Sequence, residues 1–297
     1  MRIIAGRRAA STGKTDIKAL VRNRYADVAG VETHFMEAGD PNGKPLVLVH
    51  GFLSNADSWS KNIIPLSEIR RVIAPDLPGF WRSGNPRAWP TQEYFISFLG
   101  DFMRVLSIDR ADLIGHSMGG GIVIAQTLAH PETARSIVAE DPYGICKLAP
   151  VLEHIIKSFP FVLAGRLEGG WHALARGDFS GILSSLKEDI TIDCRSGPTS
   201  IRWLASEIKL GFKGGFPSLG FKTDYTPLLH TLRDKGIRAM FTSGNRDPLF
   251  PEKSIREAAV IAGASFAVIS HSGHDPQEEN SKMFNRTVTD FLENKRD

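Results

Sequence analysis

The chain has 297 residues and a formal net charge of +3, with 42% hydrophobic and 23% charged residues. Together with 28 Gly and 17 Pro, these proportions exclude a collagen, a coiled coil and a long disordered chain, leaving one large or two modest globular domains. Two cysteines, Cys146 and Cys194, cannot make a disulfide scaffold, and no stretch approaches the roughly 18 apolar residues of a membrane span.

The charge is uneven. Residues 1–24 carry Arg2, Arg7, Arg8, Lys14, Lys18, Arg22 and Arg24 against Asp16, a net +6 that leaves the rest of the chain at −3. A weakly acidic body argues against a nucleic-acid surface. Residues 1–27 read as a basic N-terminal surface arm. Its Arg, Ala, Ser and Thr content also fits organelle targeting, whereas a secretory signal would need an apolar stretch after Met1. The expected compartment is therefore the cytoplasm, with organelle targeting as the alternative. Gly13-Lys14-Thr15 is not a phosphate loop, because Arg8 stands where that motif needs glycine and no strand precedes it.

Regular patterning begins at Val31. Residues 31–37 read as a strand and Asp40-Pro41-Asn42-Gly43 as a turn. Leu46-Val47-Leu48-Val49 is a continuous apolar run, as expected of a strand buried on both faces. Residues 72–74 form another strand. Phe95, Phe98, Leu99 and Phe102 mark one face of a helix over 91–106. A strand over 112–115, a helix over 118–130 that Pro131 ends, and a strand over 137–139 follow. The alternation then stops, and residues 143–232 read as a helical insertion. It resumes with a strand at 238–243, a helix at 251–262, a strand at 265–269 and a helix at 277–294. Alternating strands and helices imply a mainly parallel sheet with helices on both faces. The core is then 28–142 and 233–297.

Between the strand at 112–115 and the helix from 118 lies Gly115-His116-Ser117-Met118-Gly119, a G-x-S-x-G sequence in a strand-turn-helix context. A sharp turn there exposes the Ser117 hydroxyl at a helix N-terminus, where backbone amides favour a developing negative charge. A serine nucleophile needs a base, and the base needs an orienting acid. His274 follows the last strand, with Asp275, Pro276 and Glu278 read as a capped helix start; His271 is its rival. The H-x-x-H spacing of these two lacks a third metal ligand. Asp247, after the strand at 238–243, is the preferred acid, with Asp141 or Glu140 as the second candidate. Two amides should hold the oxyanion: Met118, after the nucleophile, and Phe52, in the loop His50-Gly51-Phe52. His50 is expected to shape that loop.

Taken together, these residues resemble the α/β-hydrolase superfamily from about residue 30 to 294. Val49-His50-Gly51-Phe52 looks like its oxyanion loop, Asp76-Leu77-Pro78-Gly79-Phe80 like its second loop, and Gly115 to Gly119 like its nucleophile elbow. Gly244 to Asp247 and Gly273-His274 look like its acid and histidine loops, in the family's order. One departure is Trp81, which stands where the second loop usually has its second glycine. Serine at 117 speaks against the dehalogenase and epoxide-hydrolase branches, which carry aspartate there. The resemblance implies an α/β-hydrolase fold with an inserted helical cap, a Ser117–Asp247–His274 triad, and no cofactor or metal. It implies a serine hydrolase of small apolar carboxylic esters. The alternatives are carbon–carbon hydrolysis of the meta-cleavage type, whose enzymes share the Ser117-Met118-Gly119-Gly120 sequence, and a small-molecule receptor on the same fold. His50, Trp81, His116 and Trp171 are candidate substrate contacts. Phe159, Phe161, Phe179 and Trp203 are further aromatic residues of the insertion that would suit an apolar acyl site. No nucleic-acid partner is expected.

Overall fold

The computed structural model describes residues 20–52, 54–86, 90–145 and 224–294. Residues 1–19 of the basic arm lie outside it, as do both cysteines and residues 146–223, which include Trp171 and the other aromatic residues named for the insertion.

Eight strands form one sheet: β1 (Arg22–Val28), β2 (Val31–Ala38), β3 (Pro45–Val49), β4 (Arg71–Pro75), β5 (Ala111–His116), β6 (Ala134–Glu140), β7 (Arg238–Gly244) and β8 (Ser265–Ile269). Their order is β1-β2-β4-β3-β5-β6-β7-β8. β1, β2 and β4 pair antiparallel, and every pairing from β4 across to β8 is parallel. The helices are α1 (Ile63–Ser67), α2 (Gln92–Val105), α3 (Met118–Ala129), α4 (His230–Asp234), α5 (Glu252–Ala262), α6 (Pro276–Glu279) and α7 (Ser281–Leu292).

The apolar run of β3 shows why both faces are covered. Successive side chains of a strand point to opposite faces. Val47 and Val49 join one core with Phe95, Phe98, Leu99 and Phe102 of α2 and Ile122 of α3, while Leu46 and Leu48 join a second with Trp59, Ile63 of α1 and Phe284 and Val288 of α7. Helix α2 starts where Thr91 accepts a hydrogen bond from the Tyr94 amide at 3.2 Å.

Three boundaries differ from the sequence expectation. Residues 22–27, assigned to the basic arm, are a strand of the sheet. β1 is polar and mostly exposed, so it carries no hydrophobic alternation. It is held by a hairpin through Ala29 and Gly30, both at positive φ (51° and 83°), and by Arg24, which donates to Glu37 at 2.7 Å. At the other edge of the insertion, residues 143–145 and 224–232 belong to the core, because Ile145, Tyr225, Leu229 and Leu232 are buried in it. The Tyr225 amide donates to the Gly144 carbonyl at 2.7 Å and the Thr226 hydroxyl to the Ile145 carbonyl at 2.9 Å, so the chain leaves and re-enters at one point. The expected single helix over 277–294 is broken at Asn280, whose side chain donates to the Ser270 carbonyl at 2.7 Å and accepts from the Met283 amide at 3.4 Å.

A buried ion pair ties the last helix to the sheet. Arg70 donates through Nε to Asp112 Oδ2 at 2.8 Å and through a terminal nitrogen to the Leu292 carbonyl at 2.9 Å, and the Ser136 hydroxyl donates to Asp112 Oδ1 at 2.7 Å. Removing one partner leaves a buried charge uncompensated. Asp112→Ala is expected to lower unfolding free energy by about 3–5 kcal/mol, read as a reduced urea midpoint with an unchanged slope.

Candidate active site

The site is built where β5 turns into α3. Ser117 occupies the turn at φ 51°, ψ −114°, a left-handed conformation that non-glycine residues adopt only under constraint. Here the constraint is visible. The Ser117 amide donates to the Glu140 carbonyl at 2.9 Å, and its carbonyl accepts from the Tyr143 amide at 2.9 Å and the Gly121 amide at 3.1 Å. The flanking glycines are required by close approach. A Cβ on Gly115 would stand 2.1 Å from the Gly119 carbonyl oxygen, and one on Gly119 would stand 2.2 Å from that of Val49.

The loop after β3 lies directly against the turn. A Cβ on Gly51 would meet the Ser117 Cβ at 3.3 Å and His116 Nδ1 at 2.9 Å. His50 holds this loop. Its Nδ1 donates to the Gly51 carbonyl at 2.7 Å, and its Nε2 accepts from the Leu77 amide at 2.9 Å. Burial pushes its pKa down against the pull of Asp76, so the ring stays in this neutral tautomer. Both ring nitrogens bond within the fold and the ring is buried. Phe52, half-buried, packs edge-on to Phe80 at 6.1 Å between ring centroids.

Two loops at the carboxyl end of the sheet supply the other groups. Asp247, after β7, accepts through Oδ1 from the Leu249 and Phe250 amides at 2.6 and 3.2 Å. Its Oδ2 accepts from His274 Nδ1 at 2.9 Å. Both side chains are fully buried. Burial works against charge on each: it lowers the histidine and raises the acid. The pair wins, leaving His274 above the ordinary histidine value and Asp247 below the ordinary carboxylate value.

His116 is also inside the fold. Its Nε2 donates to the His274 carbonyl at 2.7 Å, and its ring lies 4.8 Å from the His274 ring between centroids. Burial drives its pKa down to about 4, so it is neutral. The residue preceding Ser117 thus ties the β5–α3 turn to the loop that carries His274. The helix start beyond His274 differs in detail from the expected capping box. Glu279, not Glu278, reaches back, accepting from the Gly273 amide at 3.0 Å and the Asp275 amide at 3.3 Å. Asp275 points to His116 at 3.6 Å instead. The rival His271 is exposed, with Nδ1 3.3 Å from Arg246.

The loop with Trp81 keeps a glycine-like backbone despite the tryptophan. Trp81 has φ 45°, and Asp76 organises the segment. Asp76 accepts from the Ala56 amide at 2.7 Å and from Arg82 Nε at 2.9 Å, and it faces His34 Nδ1 at 2.9 Å. Against the cost of burial, these partners hold its pKa down at about 2.

A family model of the alpha/beta hydrolase family matches residues 46–287. The chain belongs to the alpha/beta hydrolase family. This alpha/beta hydrolase is 28% identical over 290 residues to 2-hydroxy-6-oxo-2,4-heptadienoate hydrolase of Pseudomonas putida, covering 94% of the chain and 98% of the relative. It is 28% identical over 277 residues to 2-hydroxymuconate semialdehyde hydrolase of Pseudomonas sp. strain CF600, covering 89% and 91%. Among solved structures, the meta-cleavage product hydrolase of Pseudomonas fluorescens IP01 shares the fold with a TM-score of 0.71 at 21% identity, over 92% of this chain and 98% of that one. A carboxylesterase of Bacillus subtilis does so with a TM-score of 0.67 at 20% identity, over 92% and 91%. Among the described residues no helix is long and apolar enough to cross a membrane.

The Asp247 charge is what keeps His274 basic, so removing it should let burial dominate. In Asp247→Asn the His274 titration midpoint is expected to fall below 6.5, as read by ring-nitrogen NMR.

Proposed function

We propose that this alpha/beta hydrolase cleaves small apolar carboxylic esters through an acyl-enzyme on Ser117, with His274 as general base and acid and Asp247 as its orienting carboxylate. The observation that carries the reading is the buried 2.9 Å pair of His274 Nδ1 and Asp247 Oδ2, with the His274 carbonyl bonded by His116, the residue before a strained serine at a helix start. His274 takes the Ser117 proton as the hydroxyl attacks the carbonyl carbon. The amides of Phe52 and Met118 hold the oxyanion. His274 then gives the proton to the leaving alcohol, and water attacks the acyl-enzyme by the same route in reverse. The tight packing of Gly51 against Ser117 supports the Phe52 amide as one donor.

A second reading is favoured by the relatives named as hydrolases of 2-hydroxy-6-oxo-2,4-heptadienoate and 2-hydroxymuconate semialdehyde. On it, the same residues hydrolyse a carbon–carbon bond next to a ketone in a conjugated dienoate. The first bond broken, not the machinery, separates the two.

Initial rates on a p-nitrophenyl ester series and on a 2-hydroxy-6-oxo-dienoate separate them. Turnover of the esters above about 1 s⁻¹, lost by more than about 10³-fold in Ser117→Ala, supports ester cleavage. Turnover of the dienoate alone supports the second reading. Background rates on both oppose each of them.

The base must be neutral to act, and Asp247 holds His274 above 6.5. The acid limb of kcat/KM for the preferred substrate is therefore expected to have its midpoint above pH 6.5.

A further inference from the structure

Behind the His274–Asp247 pair lies a second aspartate. Asp141 follows β6 directly and is fully buried. Its backbone sits at φ 38°, fixed by its own amide donating to the Thr242 carbonyl at 2.9 Å. The same turn brings the Tyr143 amide onto the Ser117 carbonyl, so Asp141 is placed by the segment that also holds the serine. Carboxyl oxygens of Asp141 and Asp247 and a ring nitrogen of His274 all lie within 4.8 Å of one another.

The hydrogen bonds of the two carboxyls do not match if both are ionised. Asp247 accepts three: two amides on Oδ1 and His274 on Oδ2. A carboxylate has about four acceptor sites, so one remains. Asp141 accepts from the Gly244 amide at 3.1 Å on Oδ2, and the Ser243 hydroxyl also hydrogen-bonds its carboxyl. Its Oδ1 is buried and meets no donor. An ionised Asp141 would leave that oxygen unsatisfied and place a second negative charge against Asp247 in a water-poor site. One proton on Oδ1 resolves both problems, because the orphaned acceptor becomes a donor in a cluster where a carboxyl oxygen of Asp247 lies within 4.8 Å of one of Asp141.

We propose that Asp141 is held as a neutral carboxylic acid whose Oδ1–H donates to the Asp247 carboxylate, making it a positioning residue for the pair. It fixes the Asp247 plane toward His274 and draws charge off that carboxylate, which tempers the basicity of His274. The proposal rests on the reading of Asp247 as the orienting acid. The direction of titration agrees: burial, then the Asp247 charge and then that of Glu140, push Asp141 well above the ordinary carboxylate range, while its hydrogen bond to Asp247 helps hold Asp247 low. The charged and titratable groups facing this cluster are Glu140 from β6, itself raised by burial, His116 from β5, and Asp275 and Glu279 from the α6 segment. The Ser243 hydroxyl of β7 also faces Asp141.

The test uses the full chain and reads the His274 ring by nitrogen NMR across pH, so it needs no substrate. In Asp141→Asn the amide keeps the donor and the neutral charge. The His274 midpoint is expected to stay within about 0.5 pH unit of wild type, with wild-type Tm. A downward shift larger than that would mean a negative charge had been removed, and it overturns the proposal. Asp141→Gly removes the donor at a positive φ that glycine adopts freely. It is expected to raise the His274 midpoint and, on whichever substrate is turned over, to lower kcat about tenfold at constant KM, with both restored in Asp141→Asn. A folded Asp141→Gly with wild-type midpoint and kcat also overturns it. If Asp141→Gly fails to fold, Asp141→Asn decides alone. If neither ester nor dienoate is turned over, the function proposed above fails, while the titrations still decide the protonation of Asp141.

Discussion

Backbone touching backbone at the β5–α3 turn is the constraint on which the rest of the site depends. With Gly115 over the Gly119 carbonyl and Gly119 over that of Val49, three segments meet where no side chain fits. This contact forces Ser117 into its left-handed conformation and sets the oxyanion loop against it. It also fixes His116, whose ring reaches the carbonyl of His274 in the loop after β8. Ser117, the loop beside it and the His274 loop are thus joined by packing and hydrogen bonds. The strain at Ser117 is spread over its bonds to Glu140, Gly121 and Tyr143.

The carboxyl end of β6 is the second organising element. Glu140 uses its carbonyl to hold Ser117 and its side chain to hold the Gln277 amide at 2.9 Å, while Asp141 bonds β7 through its backbone and Gly244 through its side chain. Two adjacent acids therefore connect the nucleophile turn to the acid loop and to the last helical segment. Burying both is tolerable because burial favours their neutral forms, which remain good hydrogen-bonding groups. Asp247, held below the ordinary carboxylate value, has two amides and an imidazole to stabilise its charge.

Much of this was legible in the sequence wherever burial and pattern coincide. The apolar run of β3 and the spaced phenylalanines of α2 are dictated by the two cores and stand out on sight. The elbow, the acid loop and the histidine loop are legible because close backbone approach demands glycine at defined places. β1 was hidden because an edge strand held by main-chain bonds and by Arg24–Glu37 needs no apolar alternation. The break at Asn280 was hidden because one side chain bonding Ser270 and Met283 interrupts a pattern that otherwise continues. Asp247, preferred over Asp141 from sequence, is the one of the two that bonds the His274 ring. Both reach the site, and only three-dimensional hydrogen-bond accounting separates their roles. Glu279 was missed for Glu278 because the spacing of a capping box is one residue away from the geometry that α6 adopts.

The pinned stumps of the insertion carry an evolutionary consequence. Gly144 and Ile145 are joined to Tyr225 and Thr226 by two hydrogen bonds, so the core brings together the two points from which the loop of residues 146–223 departs and returns. Closing such a loop costs only about 0.6 kcal/mol more for each doubling of its length. Lengthening that segment therefore adds little to the entropic cost of holding its two ends together. The length of that stretch is therefore free to drift while its two ends stay joined.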